Sequence, residues 1–162
     1  MGNSWGKKIN LSIFGESHGE AVGIIIDGLP SGIKLDLEKI KKEMKRRKPG
    51  ADNISTQRKE DDEFKILSGF FEGRTTGTPF CVIIENTDKI SKDYNKNVAR
   101  PGHSDFTGFV RYNGFNDYRG GGHFSGRVTA GLVFAGAVAK QILEEKGITV
   151  GGHIKKIGDI YD

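Results

Sequence analysis

The stretch from Ser125 to Lys146 limits what this chain can fold into more than any other. It carries the strongest helical pattern in the sequence, and it closes on Gly147, which suits the left-handed residue that ends a helix. Its first half contains Val128, Ala130, Leu132, Val133, Phe134, Ala135, Ala137, Val138 and Ala139 and is apolar on all sides. A helix of that kind is buried between layers rather than laid on a surface. At 162 residues the chain is long enough for one domain with a hydrophobic core and too short to expect two.

Strands are expected around this helix. Ile9, Leu11 and Ile13 alternate with Asn10 and Ser12, the period of a half-buried strand, and Ala21 to Asp27 reads as its neighbour. Gly15-Glu16-Ser17-His18-Gly19 is the tight connection between them. Asp36 is placed to cap a helix with Leu37, Ile40 and Met44 on one stripe, ending at Pro49-Gly50 after the basic run Lys45 to Lys48. Ala51 to Glu63, with the acidic run Glu60 to Glu63, reads as a surface loop. Phe64 to Phe71 and Phe80 to Glu85 read as strands about a turn, with Cys81 a small buried side chain. Asn86 to Tyr118 is expected to be a second long loop, and Ile148 to Val150 and His153 to Ile157 to begin new strands.

Composition narrows the function. The 24 glycines are about twice the usual share, and the net charge of +4 favours anionic small molecules over nucleic acid, because aromatic residues are not interleaved with the basic ones. One cysteine excludes an intrachain disulfide and a thiolate cluster, so a reducing compartment, the cytoplasm, is expected. Met1 to Lys8 has no signal-like apolar stretch, and Ala130 to Ala139 is too short to span a bilayer, so no membrane segment is expected. The histidines lack metal-ligand spacing, and no metal is expected.

Several residues could carry chemistry. His18 sits in a glycine-flanked turn where an imidazole can exchange a proton, the alternative being a structural histidine bonded to backbone. Ser17 is expected to face the opposite way, as neighbours on an extended strand do. His103 follows Arg100-Pro101-Gly102 and precedes Asp105, a possible orienting partner; the alternative is a solvated loop histidine. Gly120-Gly121-Gly122 could bring backbone amides to a phosphate or simply punctuate the chain. Arg127 works against the helix dipole unless it serves something else. Arg46 and Arg47 could clamp carboxylate or phosphate, or form an ordinary solvated helix end.

Gly15 to Gly19, continued through Gly23-Ile24-Ile25-Ile26-Asp27-Gly28-Leu29-Pro30, resembles the first sequence motif of the chorismate synthases. Gly122-His123-Phe124-Ser125-Gly126-Arg127-Val128-Thr129 resembles their second, although many members have Arg-Ser-Ser-Ala-Arg-Glu-Thr from the position of His123 onward. Arg46 to Gly50, Thr56-Gln57-Arg58, Thr76 to Pro79 and Arg100 to Asp105 fall between them in the family's order.

The resemblance implies an α+β fold, a β-α-β sandwich with buried helices between antiparallel sheets, incomplete at the C-terminus. Residues 1–162 would then be the N-terminal portion of a single domain, inactive alone and a homotetramer when full length. It implies an anti elimination of phosphate from 5-enolpyruvylshikimate 3-phosphate that requires reduced FMN, with NADPH only a possible source of reduced flavin. By resemblance His18 and His103 are catalytic, Arg46, Arg47 and Arg127 bind substrate, and Arg47, His123, Phe124 and Ser125 contact the cofactor. The rival reading is a non-catalytic anion- or nucleotide-binding module.

Overall fold

The computed structural model describes residues 2–48, 62–87 and 94–162. The expected helix stop at Pro49-Gly50, most of the acidic loop and the Thr56-Gln57-Arg58 motif lie outside them. The fold is α+β, built on a five-stranded antiparallel sheet of order β1-β2-β3-β7-β4. Its strands are β1 (Ser4–Gly6), β2 (Asn10–Gly15), β3 (Ala21–Asp27), β4 (Phe64–Ser68) and β7 (Phe80–Glu85). Between the last two lies a small hairpin of β5 (Phe70–Phe71) and β6 (Arg74–Thr75).

Alternation decides which face is covered. Val22, Ile24 and Ile26 of β3 stand beside Phe80, Val82 and Ile84 of β7, all essentially buried, and this face receives the helices. Fully burying each such side chain contributes about 1.5–3 kcal/mol. Cys81 lies on the alternate face and is only half-buried, contrary to expectation, although burial still pushes its thiol pKa up. Gly69 splits the strand expected from Phe64 to Phe71. Its φ of +82° and the Cα of Phe80 2.4 Å from where its Cβ would stand admit no side chain.

Helix α1 (Leu37–Arg47) begins where the sequence indicates: the Asp36 carboxylate accepts from the Glu38 and Lys39 amides, and Ile40 and Met44 are buried. The long helix starts later than expected. Ser125 is extended, and its Oγ accepts from the Arg127 amide to cap a 3-10 turn, Gly126–Val128, from which α3 (Thr129–Glu144) continues. Helix α3 lies directly on β3, with Gly131 admitting the Gly23 carbonyl and Phe134 stacked on Phe80. Gln141 locks it to α1, accepting from the Asp36 amide at 2.7 Å and donating to the Asp36 carbonyl at 3.1 Å. Gly136 and Ala139 are exposed, so within the described residues α3 is covered on the sheet and α1 sides only.

Two further expectations are corrected. The stretch from Asn86 to Tyr118 contains a short helix, α2 (Asp105–Arg111), whose Phe106, Phe109 and Val110 are exposed and so left no amphipathic signal. After Gly147, at φ +71°, the chain forms only the two-residue strands β8 (Lys156–Ile157) and β9 (Ile160–Tyr161), paired with each other. Ile148 to Val150 forms no strand, and these residues have no sheet partner among the described residues.

Candidate functional site

The turn between β2 and β3 closes onto the glycine triplet. The Ser17 amide donates to the Gly122 carbonyl at 3.0 Å, and His123 Nδ1, 2.9 Å from the Gly15 carbonyl, must carry its proton to donate there. Ser17 and His18 are buried. They do not face apart as expected, because the residues form a turn rather than a strand: a Cβ on Gly120 would lie 2.6 Å from His18 Nδ1 and 3.0 Å from Ser17 Oγ.

The same triplet meets the second histidine. All three glycines have positive φ, and a Cβ on Gly121 would stand 2.5 Å from His103 Cε1 and 2.7 Å from its Nε2. Two imidazoles far apart in sequence therefore rest on consecutive residues. Gly120→Ala in the full-length protein is expected to lower stability by about 1–3 kcal/mol, since the new methyl meets His18 on a backbone that disfavours side chains. Denaturant unfolding checks this; an unchanged midpoint would mean that the turn and the triplet are not in contact.

His103 is oriented by its own loop. In the neutral ring Nδ1 accepts from Arg100 NH2 at 3.2 Å, and it lies 2.7 Å from Asp105 Oδ1, with which it pairs when protonated; Nε2 faces Gly121. Arg100 fixes that carboxylate with Nε and NH2 donating at 2.8 Å each and its amide at 2.9 Å. These bonds from Arg100 hold the Asp105 carboxyl well below the usual carboxylate range. The Tyr94 ring lies under the Arg100 guanidinium at 5.3 Å and against His18 at 5.1 Å, which joins the two histidine loops. A cavity of about 450 Å³ opens beside them, lined by Tyr94, Val98, Arg100, Asp105, Phe109 and Tyr118 among others.

The arginines separate. Arg46 is exposed and paired with Glu43, away from the histidines' partners. Arg47 and Arg127 converge on one carboxylate, Asp62, which takes a guanidinium on each oxygen. Arg127 is buried, with Nε on Asn86 Oδ1 at 2.9 Å and NH2 on the Glu85 carbonyl at 3.0 Å. Asp62 is 5% exposed, which corrects its reading as part of a surface loop. Phe124 packs on Gly108 of α2 and lies 6.0 Å from the Tyr112 ring, while Ser125 is the cap already described.

Sequence reasoning missed Asp62, Asn86 and Tyr94. An acidic run reads as solvated, and nothing local marks the one member that is buried. Asn86 had a faint signal, since it directly follows β7 and faces the start of β3. Among the described residues no three His, Cys, Asp or Glu side chains converge to hold a metal ion, and no helix is long and apolar enough to cross a membrane.

The chorismate synthase family matches this chain over residues 9–162. The chorismate synthase of Thermococcus kodakarensis is 54% identical over 157 residues, 96% of this chain and 44% of that protein. That of Methanothermobacter thermautotrophicus is 49% identical over 161 residues, 98% of this chain and 43% of that protein. A crystal structure of a chorismate synthase superimposes with a TM-score of 0.63 at 31% identity, covering 87% of this chain and 35% of the other. The chain belongs to the chorismate synthase family, a family of lyases. It spans less than half the length of these curated relatives.

Proposed function

We propose that residues 1–162 are the N-terminal portion of a single-domain chorismate synthase. The reaction is the anti elimination of phosphate from 5-enolpyruvylshikimate 3-phosphate, with reduced FMN required. One observation carries the reading: in a chain of this family, His18 and His103 rest on consecutive glycines, which brings two imidazoles from distant loops together.

His103 has the geometry for the departing phosphate. Once protonated, His103 pairs through Nδ1 with Asp105 and can present its Nε2 proton to the leaving oxygen, the carboxylate stabilising that imidazolium. His18, at 8% exposure, would exchange a proton with the flavin when the cofactor is bound. An anionic, phosphorylated cofactor would be held by the guanidinium of Arg47 at the end of α1, once it leaves Asp62, with His123, Phe124 and Ser125 contacting it. When bound, reduced flavin supplies electron density that assists C–O cleavage. Arg46, Arg47 and Arg127 provide positive charge for the substrate's carboxylates and phosphate, with Arg46 needing to leave Glu43, and Arg47 and Arg127 Asp62, to bind them directly. NADPH, where it is used, serves only as a source of reduced flavin. The working enzyme is a cytoplasmic homotetramer, and residues 1–162, which span less than half the length of the curated relatives, are inactive alone.

Arg47→Ala in the full-length protein is expected to raise the substrate KM and Kd by the equivalent of about 1.5–3 kcal/mol, the worth of a charged hydrogen bond. If neither constant moves, Arg47 holds no ligand. The function itself is tested by genetic rescue. The full-length gene should restore growth without aromatic amino acids to a bacterium lacking chorismate synthase, and no rescue by a well-expressed protein would count against the reading.

A further inference from the structure

Asp62, Arg127 and Asn86 form a continuous buried chain of hydrogen bonds that ends on the His18 turn. Arg127 donates NH1 to Asp62 and Nε to Asn86 Oδ1 at 2.9 Å. Asn86 then donates Nδ2 to the Glu16 carbonyl at 2.9 Å and the Gly19 carbonyl at 3.1 Å, one on each side of Ser17-His18. Its own amide donates to the Glu20 carbonyl at 2.9 Å. The side chains of Asp62 and Arg127 are 2% and 5% exposed, and Asn86 as a residue is 5% exposed.

Each link sets the next. A primary amide has one acceptor end and one donor end, so the guanidinium against Oδ1 forces the Asn86 NH2 toward the two turn carbonyls. With the amide reversed, NH2 would face the guanidinium and Oδ1 would face two carbonyls, losing every bond. Arg127 in turn is fixed by Asp62, because a buried guanidinium without its carboxylate is strongly unfavourable and would shift. Asp62 itself holds a left-handed φ of +51°, rare for a residue with a side chain.

We propose that Asn86, directly, and Asp62, through Arg127 and Asn86, are positioning residues for the His18 imidazole. The chain clamps both ends of the turn and thereby fixes the ring against Gly120 and Tyr94. The functional meaning rests on His18 taking part in the proposed elimination, whereas the clamp can be read directly from the ring.

The test is carbethoxylation of histidines by diethyl pyrocarbonate in the full-length protein, followed residue by residue by mass spectrometry. His103, on a separate loop, is the internal reference. Asn86→Ala and Asp62→Ala should each raise the rate at His18 relative to His103 by about tenfold, the factor that ~1.4 kcal/mol of lost local stability produces. Ile40→Val, a core change in α1 unconnected to the chain, should move neither rate. Asp62→Asn, which keeps an acceptor oxygen, provides a milder variant and should raise the ratio by less. An unchanged ratio in the Asp62 variants, or His18 and His103 accelerating together, would overturn the proposal. In turnover, Asn86→Ala should lower kcat and leave KM in place, a split that general destabilisation does not give. Should the wild-type protein form no chorismate, the ring readout still decides the clamp.

Discussion

Arg127→Ala in the full-length protein is expected to lower stability by about 3–5 kcal/mol, the range for removing one partner of a buried ion pair. The side chain joins three parts of the fold: Asp62 before β4, the Glu85 carbonyl at the end of β7, and Asn86, which holds the His18 turn. Truncation leaves Asp62 to Arg47 alone and strips a donor from the buried Asn86 Oδ1 and from the Glu85 carbonyl. Denaturant unfolding measures the loss. Removing the carboxylate as well, in Arg127→Met with Asp62→Ala, should recover part of it, since the stranded charge is then gone. A single-variant loss under 1 kcal/mol would mean that Arg127 is not held as described.

His103→Ala is expected to reduce turnover by about 10²-fold or more, the range for losing a positioned general acid. The fold should tolerate the change, because Asp105 keeps its three bonds from Arg100 and the loop is anchored without the imidazole. Flavin binding should also persist. Anaerobic kinetics, with flavin titration and a melting curve on the same sample, separate these effects. Near-wild-type turnover would remove His103 from the chemistry, and a collapse in melting temperature would make it a structural residue instead.

What the sequence disclosed was whatever local periodicity and caps determine. Strand β3 was legible because its apolar run is bounded by Gly19-Glu20 and Gly28, and α1 because Asp36 caps a stripe that ends at Met44. Helix α2 was hidden because its apolar side chains are exposed and its pattern serves no core of the described residues. The start of α3 was misplaced by a serine that caps a 3-10 turn first. Motif resemblance named His18 and His103 as candidates, but the contact that unites them is made through Gly120 and Gly121, and tertiary approach of that kind leaves no local trace. Asp62 failed for the opposite reason: its neighbours in sequence look solvated while two arginines from distant segments bury it.

The central claim is tested most directly by incubating the full-length protein without oxygen, with 5-enolpyruvylshikimate 3-phosphate and chemically reduced FMN, while following chorismate and inorganic phosphate together. The account predicts that both appear in equal amounts at many turnovers per protein, that the flavin remains reduced at the end, and that oxidised FMN supports none of it. Phosphate release without chorismate, or no reaction by folded protein that binds reduced flavin, would contradict it.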